Sequence, residues 1–194
     1  MLPLERTASK PLQPFVQGDF DSLCGLYSIV NAIRLAALPV RPLTSRQATG
    51  IFNSGIAYLH ERRLLHGVIT RGMQTRLWIS LARRLCHCAE SPSLVFDCVL
   101  PPHHGKPIQL VEARTWINDS LTRQAPVLIL LERQDHFSVI SGTSEKRLHL
   151  FDSWSYHYVG MNALKDSAGK ASAMMSIAGR AKESLRRSAP DRGD

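Results

Sequence analysis

Cys24, His136 and Asp152 are the side chains of this 194-residue chain whose types and surroundings could sustain nucleophilic chemistry. The stretch QGDFDSLCGLYSIVNAI (residues 17–33) sets Cys24 at the start of an apolar helical pattern. In a first helical turn, unsatisfied backbone N–H groups and the positive end of the helix dipole stabilise a thiolate. Gly25 directly after it is expected to admit a substrate backbone. The competing reading is a buried structural thiol, since free Cys is among the most buried residue types. A nucleophilic thiol needs a base, and His136 in HFSVISG, followed across a polar turn by RLHLFD, offers one. With the turn centred on Ser144, His136 lies opposite Asp152, Ser138 opposite Leu150 and Ile140 opposite Leu148, so imidazole and carboxylate share one sheet face. A carboxylate there fixes the imidazole tautomer and stabilises its cation. A slip of one residue would part the two, and an exposed His beside a hairpin Asp is the plainer alternative.

The elements that must position these groups read as an α+β domain. Leu26, Ile29, Val30, Ile33 and Ala37 recur at helical spacing, with Asp21 or Ser22 as the cap and Pro39 beyond the end. A second helix opens at Thr44, where Gln47 completes a capping box, and a third opens near Thr70 and turns Met73, Leu77, Leu81 and Leu85 inward. LVFDCVL (94–100) and VLILL (127–131) read as strands flanking a helix around Glu112 to Arg123, and the hairpin follows. Residues 1–21, with three prolines, read as an extended lead-in. Residues 161–194, rich in Ala, Ser, Lys and Arg, read as a basic helical or disordered tail. The domain is therefore expected to span 1–160 and to survive removal of the tail.

Composition narrows the function classes. The chain is 44% hydrophobic, enough for a real core, and four cysteines at uneven spacing favour reduced thiols over a disulfide scaffold. There is no apolar run of roughly 18 residues, and the N-terminus lacks a signal-peptide layout. A cytoplasmic protein without a membrane span is expected, with export as an effector by a non-classical route left open. The net charge of +8 is dispersed: residues 165–194 hold seven Lys or Arg against four Asp or Glu. A dispersed excess argues against nucleic acid as partner. Cys86-His87-Cys88 lacks a second pair at zinc-site spacing, and Cys98, His103 and His104 could complete a site only through a fold contact. His60 and His66 read as solvated helix-end residues. Trp78, Trp116 and Trp154 are too scattered for a base-stacking platform and read as core or groove lining. With no phosphate-cradling motif, no nucleotide cofactor is expected, and thiol chemistry of this kind requires neither a metal nor an organic cofactor. Oligomeric state is not encoded in any of these patterns.

QGDFDSLCGLYSIVNAI, APVLILLERQDHFSVISG and RLHLFDSW together resemble the papain-like cysteine peptidase superfamily, most of all the C39-like peptidases. There a Gln precedes a CG that opens a helix, and an HF-plus-strand segment precedes an Asp. The resemblance covers roughly a third of the chain. It implies a helical N-terminal lobe bearing Cys24 as nucleophile and an antiparallel sheet lobe bearing His136 as base and Asp152 as orienting residue. Gln17 is implied as the side-chain donor of the oxyanion hole, one position further from the Cys than is usual, a difference that a bulge absorbs. Ser153-Trp154 follows Asp152 where bacteriocin-processing C39 domains usually have Pro, which sets the chain apart from leader-peptide processing. The implied activity is thiol-dependent hydrolysis of a peptide or isopeptide bond in a protein or peptide substrate. A side-chain deamidase, a transglutaminase-like acyltransferase and a non-catalytic peptide-binding member or adaptor are the alternatives.

Overall fold

A computed structural model describes residues 3–6, 11–19, 21–102, 109–164 and 174–182. Its elements are α1 (Cys24–Ala37), α2 (Ser45–Glu61), α3 (Leu65–Arg71), α4 (Thr75–Ala89), β1 (Leu94–Val99), α5 (Leu110–Thr122), β2 (Val127–Leu131), β3 (His136–Thr143), β4 (Arg147–Leu150), β5 (Tyr158–Gly160) and β6 (Met174–Ala181). The strands form one antiparallel sheet in the order β1-β6-β2-β3-β4-β5. The architecture is α+β.

α1 is the central helix: it packs on β1, β2, β3 and β6 on one side and on α2 and α4 on the other. Every residue of α1 except Tyr27 is buried, as expected of a helix that is apolar nearly all round. Its N-cap is Leu23, which offers no side-chain cap; Asp21 instead accepts the Leu23 N–H at 2.9 Å. The Thr44–Gln47 capping box opens α2 as expected. Two helices stand where one was expected from Thr70. Gly72, at φ 79°, ends α3 in a backbone conformation that a side chain disfavours, and α4 starts afresh at Thr75. β3 is buried at all eight positions, which requires cover on both faces. α1 and α5 both pack on it, as does the short turn Leu4–Arg6.

Two expectations are corrected. Residues 174–181, read as part of an exposed basic tail, form β6 between β1 and β2, with Met174, Met175, Ser176 and Ile177 buried. The sheet thus extends well past residue 160, and β6 is one of its inner strands. The hairpin register also differs: the turn centres between Glu145 and Lys146 rather than on Ser144, so Thr143 pairs with Leu148 and Gly142 with His149, and a bulge in β3 between Ile140 and Gly142 then sets Ile140 opposite Leu150.

Candidate active site

Cys24 occupies the first position of α1, and the chain preceding it is held by α1 itself. Asn31 clasps Phe15 from both sides, accepting its N–H at 2.8 Å and donating to its carbonyl at 3.0 Å. Arg34 donates to the Gln13 carbonyl at 2.8 Å and lies 4.0 Å above the Phe15 ring. Gln17, the next anchor along, is buried. Its Nε2 donates to the Asp21 carbonyl at 2.5 Å, and its backbone N–H donates to the Ser153 carbonyl at 3.0 Å. An amide nitrogen carries two N–H groups, so one remains beyond the Asp21 contact.

His136 opens β3. The turn Glu132–Gln134 ends at Asp135, whose φ of 46° swings the chain into the strand. His136 Nε2 lies 2.7 Å from Asp152 Oδ2, and each residue is only 1% exposed, which excludes a solvated surface pair. The observed register extends toward Ser138 opposite Asp152, with the Phe151 N–H on the Val139 carbonyl at 2.9 Å. The imidazole therefore meets the carboxylate diagonally along one face. The other carboxylate oxygen, Oδ1, accepts the N–H groups of Trp154 (2.7 Å) and Tyr156 (3.3 Å). Asp152 takes Nε2, so Nδ1 is the ring nitrogen left for the thiol.

Burial opposes charge on this imidazole, but the hydrogen bonds to Asp152 and Cys24 and the charges of both outweigh it, raising His136 from 6.5 to about 9. Asp152 shows the reverse balance. Burial pushes its carboxyl up, yet His136, the Ser138 hydroxyl and the Trp154 N–H together hold it below its ordinary value. A buried imidazolium beside a buried carboxylate is the resulting state at neutral pH.

Trp154 stacks on the His136 ring, with centroids 5.0 Å apart and planes at 16°, while half its surface stays exposed. Tyr156 approaches the same ring edge-on at 5.8 Å. Both shield the pair from water. A cleft of about 350 Å³ opens over these groups, and Gln17, Cys24, His136, Phe137, Arg71 and Trp154 are among the residues lining it. All four candidate residues from the sequence are thus brought together, Asp152 from behind His136.

Other readings fare differently. Gly25 serves packing, because a Cβ there would lie 3.3 Å from both Phe137 and Trp78 and 3.4 Å from the Met73 sulfur. Among the tryptophans, Trp78 is core and Trp154 belongs to the site. Cys86 is buried whereas Cys88 is exposed, and His87 pairs with Glu90 at 3.5 Å. His103 and His104 lie outside the described residues, among which no three His, Cys, Asp or Glu side chains converge as a metal site would require. The clasping Asn31 and Arg34 were not singled out in the sequence. Polar residues in an otherwise apolar helix were the available signal.

No protein-family model matches the chain, and no curated protein or solved structure is detectably similar to it. Among the described residues, no helix is long and apolar enough to cross a membrane.

Proposed function

We propose that the protein is a thiol-dependent hydrolase of peptide or isopeptide bonds, a papain-like domain in which α1 carries the nucleophile and the sheet carries its base. The observation supporting this reading is the buried 2.7 Å His136–Asp152 pair, whose imidazole lines the same cleft as Cys24 at the head of α1. A structural thiol has no need of such a pair. In the reaction the Cys24 sulfur attacks the amide carbonyl carbon, and the free N–H of Gln17 and the Cys24 backbone N–H receive the developing oxyanion. The His136 imidazolium gives its proton to the leaving nitrogen as the C–N bond breaks, leaving a thioester. Neutral His136 then takes a proton from water, which attacks the thioester, and the Cys24 thiolate departs. Asp152 holds the ring throughout without giving up a proton. The thiol must stay reduced, as it would in a cytoplasmic setting.

An amine in place of water would make the same thioester serve acyl transfer, and a side-chain carboxamide in place of a main-chain amide would make the reaction a deamidation. Intact-mass analysis with peptide-aldehyde, vinyl-sulfone and ubiquitin-type electrophilic probes tests the proposal and reports the substrate class. A covalent adduct mapping to Cys24, absent in Cys24→Ala and strongly slowed in His136→Ala, is expected. A chain that reacts with none of them, or one whose adduct forms equally fast without His136, would contradict it.

A further inference from the structure

A second thiol pair lies outside the cleft. Cys86 sits on the buried side of the last turn of α4, beside Leu85 and Ala82. Cys98 follows Leu94 and Phe96 on the same alternating face of β1, and α4 packs on that strand. The connection between the two elements is short and pinned by a backbone hydrogen bond from Ser91 N–H to the Leu94 carbonyl at 2.9 Å. The two thiols thus face each other across the α4–β1 contact, close enough to shift each other's acidity, and the Cys98 sulfur also lies 3.0 Å from the Met175 sulfur of β6. Cys86 is buried and Cys98 only partly so. We infer that Cys86 and Cys98 form a peroxide-sensitive dithiol that closes into a disulfide stapling α4 to β1.

The two sulfurs divide the work. The hydrogen bond from Cys86 lowers the Cys98 thiol; burial opposes this, and the charge of Arg83 adds to the lowering. For Cys86, the same hydrogen bond and burial both act upward, so it keeps its proton. The more acidic, more accessible sulfur therefore meets oxidant first. The Cys98 thiolate attacks one peroxide oxygen, an S–O bond forms as the O–O bond breaks, and the departing hydroxide takes a proton to become water. The Cys86 sulfur then attacks the Cys98 sulfenic acid. The S–S bond forms, the S–O bond breaks, and the leaving hydroxide combines with the Cys86 proton. Two thiols and one hydrogen peroxide give one disulfide and two waters. Cys88, two positions along the helix and exposed, points away from Cys98.

The test treats the full chain, Cys88→Ser and Cys98→Ser with a small excess of hydrogen peroxide, blocks the remaining thiols, and cleaves after Glu90 to separate Cys86 and Cys88 from Cys98. The wild-type chain and Cys88→Ser are expected to lose two hydrogens and to yield a Cys86–Cys98 linked peptide pair released by dithiothreitol, while Cys98→Ser yields none. The same link in Cys24→Ser would show that the pair acts independently of the proposed catalysis. A link through Cys88, a Cys98 that stays open to alkylation, or oxygen added at Cys98 or Met175 without a cross-link would overturn the inference.

Discussion

The backbone N–H of Gln17 donates to the carbonyl of Ser153 at 3.0 Å, joining the segment ahead of Cys24 to the loop that carries Asp152. Asn31 and Arg34 fix the same segment to α1. The helix and the sheet are therefore registered to each other across the cleft by a piece of extended chain, and Gln17 stands where the two anchors meet. Positioning of this kind matters because catalytic groups must be held within a fraction of an ångström of productive geometry.

Replacing Gln17 separates oxyanion stabilisation from thiol reactivity. Gln17→Ala is expected to slow amide turnover on the order of 10² to 10³ in kcat, while alkylation of Cys24 by iodoacetamide, which forms no oxyanion, stays nearly unchanged. Both rates are measured on one preparation. A parallel fall would place Gln17 in the scaffold alone.

The triad substitutions should rank by what they leave behind. His136→Ala is expected to abolish turnover, and Asp152→Asn to reduce it by about 10²-fold or more, since Asp152 orients the ring and transfers no proton. Asp152→Ala should be the most damaging to the fold, costing about 3 kcal/mol, because it strands His136 and the N–H groups of Trp154 and Tyr156. Urea unfolding beside activity assays distinguishes these effects. Full activity in His136→Ala would move the base elsewhere.

Stability should report the same pair through pH. The His136 imidazole binds its proton more tightly folded than unfolded, so its contribution is complete below about pH 6.5 and is lost as pH rises through about 9. Asp152, held below its ordinary value, contributes at neutral pH and loses that contribution on acidification. The wild-type urea midpoint should fall across the alkaline window, and His136→Ala should flatten it. An unchanged slope in the variant would assign the titration to another group.

What could be read from sequence follows the range of the interactions. α1 and the Thr44–Gln47 box are specified by near neighbours, and both stand where their patterns put them. Cys24, His136 and Asp152 were visible because each sits beside a local marker: a helix start, a strand start or a strand end. MMSIAGRA is compatible with helix in isolation and becomes strand only through pairing with β1 and β2, far away in sequence. The turn centre between Glu145 and Lys146 and the bulge at Ile140–Gly142 likewise carry no strong local signature, yet together they set the hairpin register. Gln17 depends on a clasp from a helix that begins after it.

β6 gives a direct check on where the domain ends. Truncation after Leu164 removes the strand between β1 and β2 and is expected to leave an insoluble or unfolded chain. Gly179→Ala, whose Cβ would collide with the Ala36 carbonyl of α1, should lower stability by about 1–3 kcal/mol. Circular dichroism and urea midpoints decide both. A truncated chain with native stability would remove β6 from the folding unit.

Activation of Cys24 by His136 is decided by competitive iodoacetamide labelling of all four cysteines near neutral pH, with Cys98 as the internal reference. In the folded wild-type chain Cys24 should label faster than Cys86, Cys88 and Cys98, and His136→Ala should slow Cys24 by about 10-fold or more while leaving the Cys98 rate in place. A Cys24 that labels no faster than the others, or whose rate relative to Cys98 is unchanged without His136, would show that His136 does not activate it.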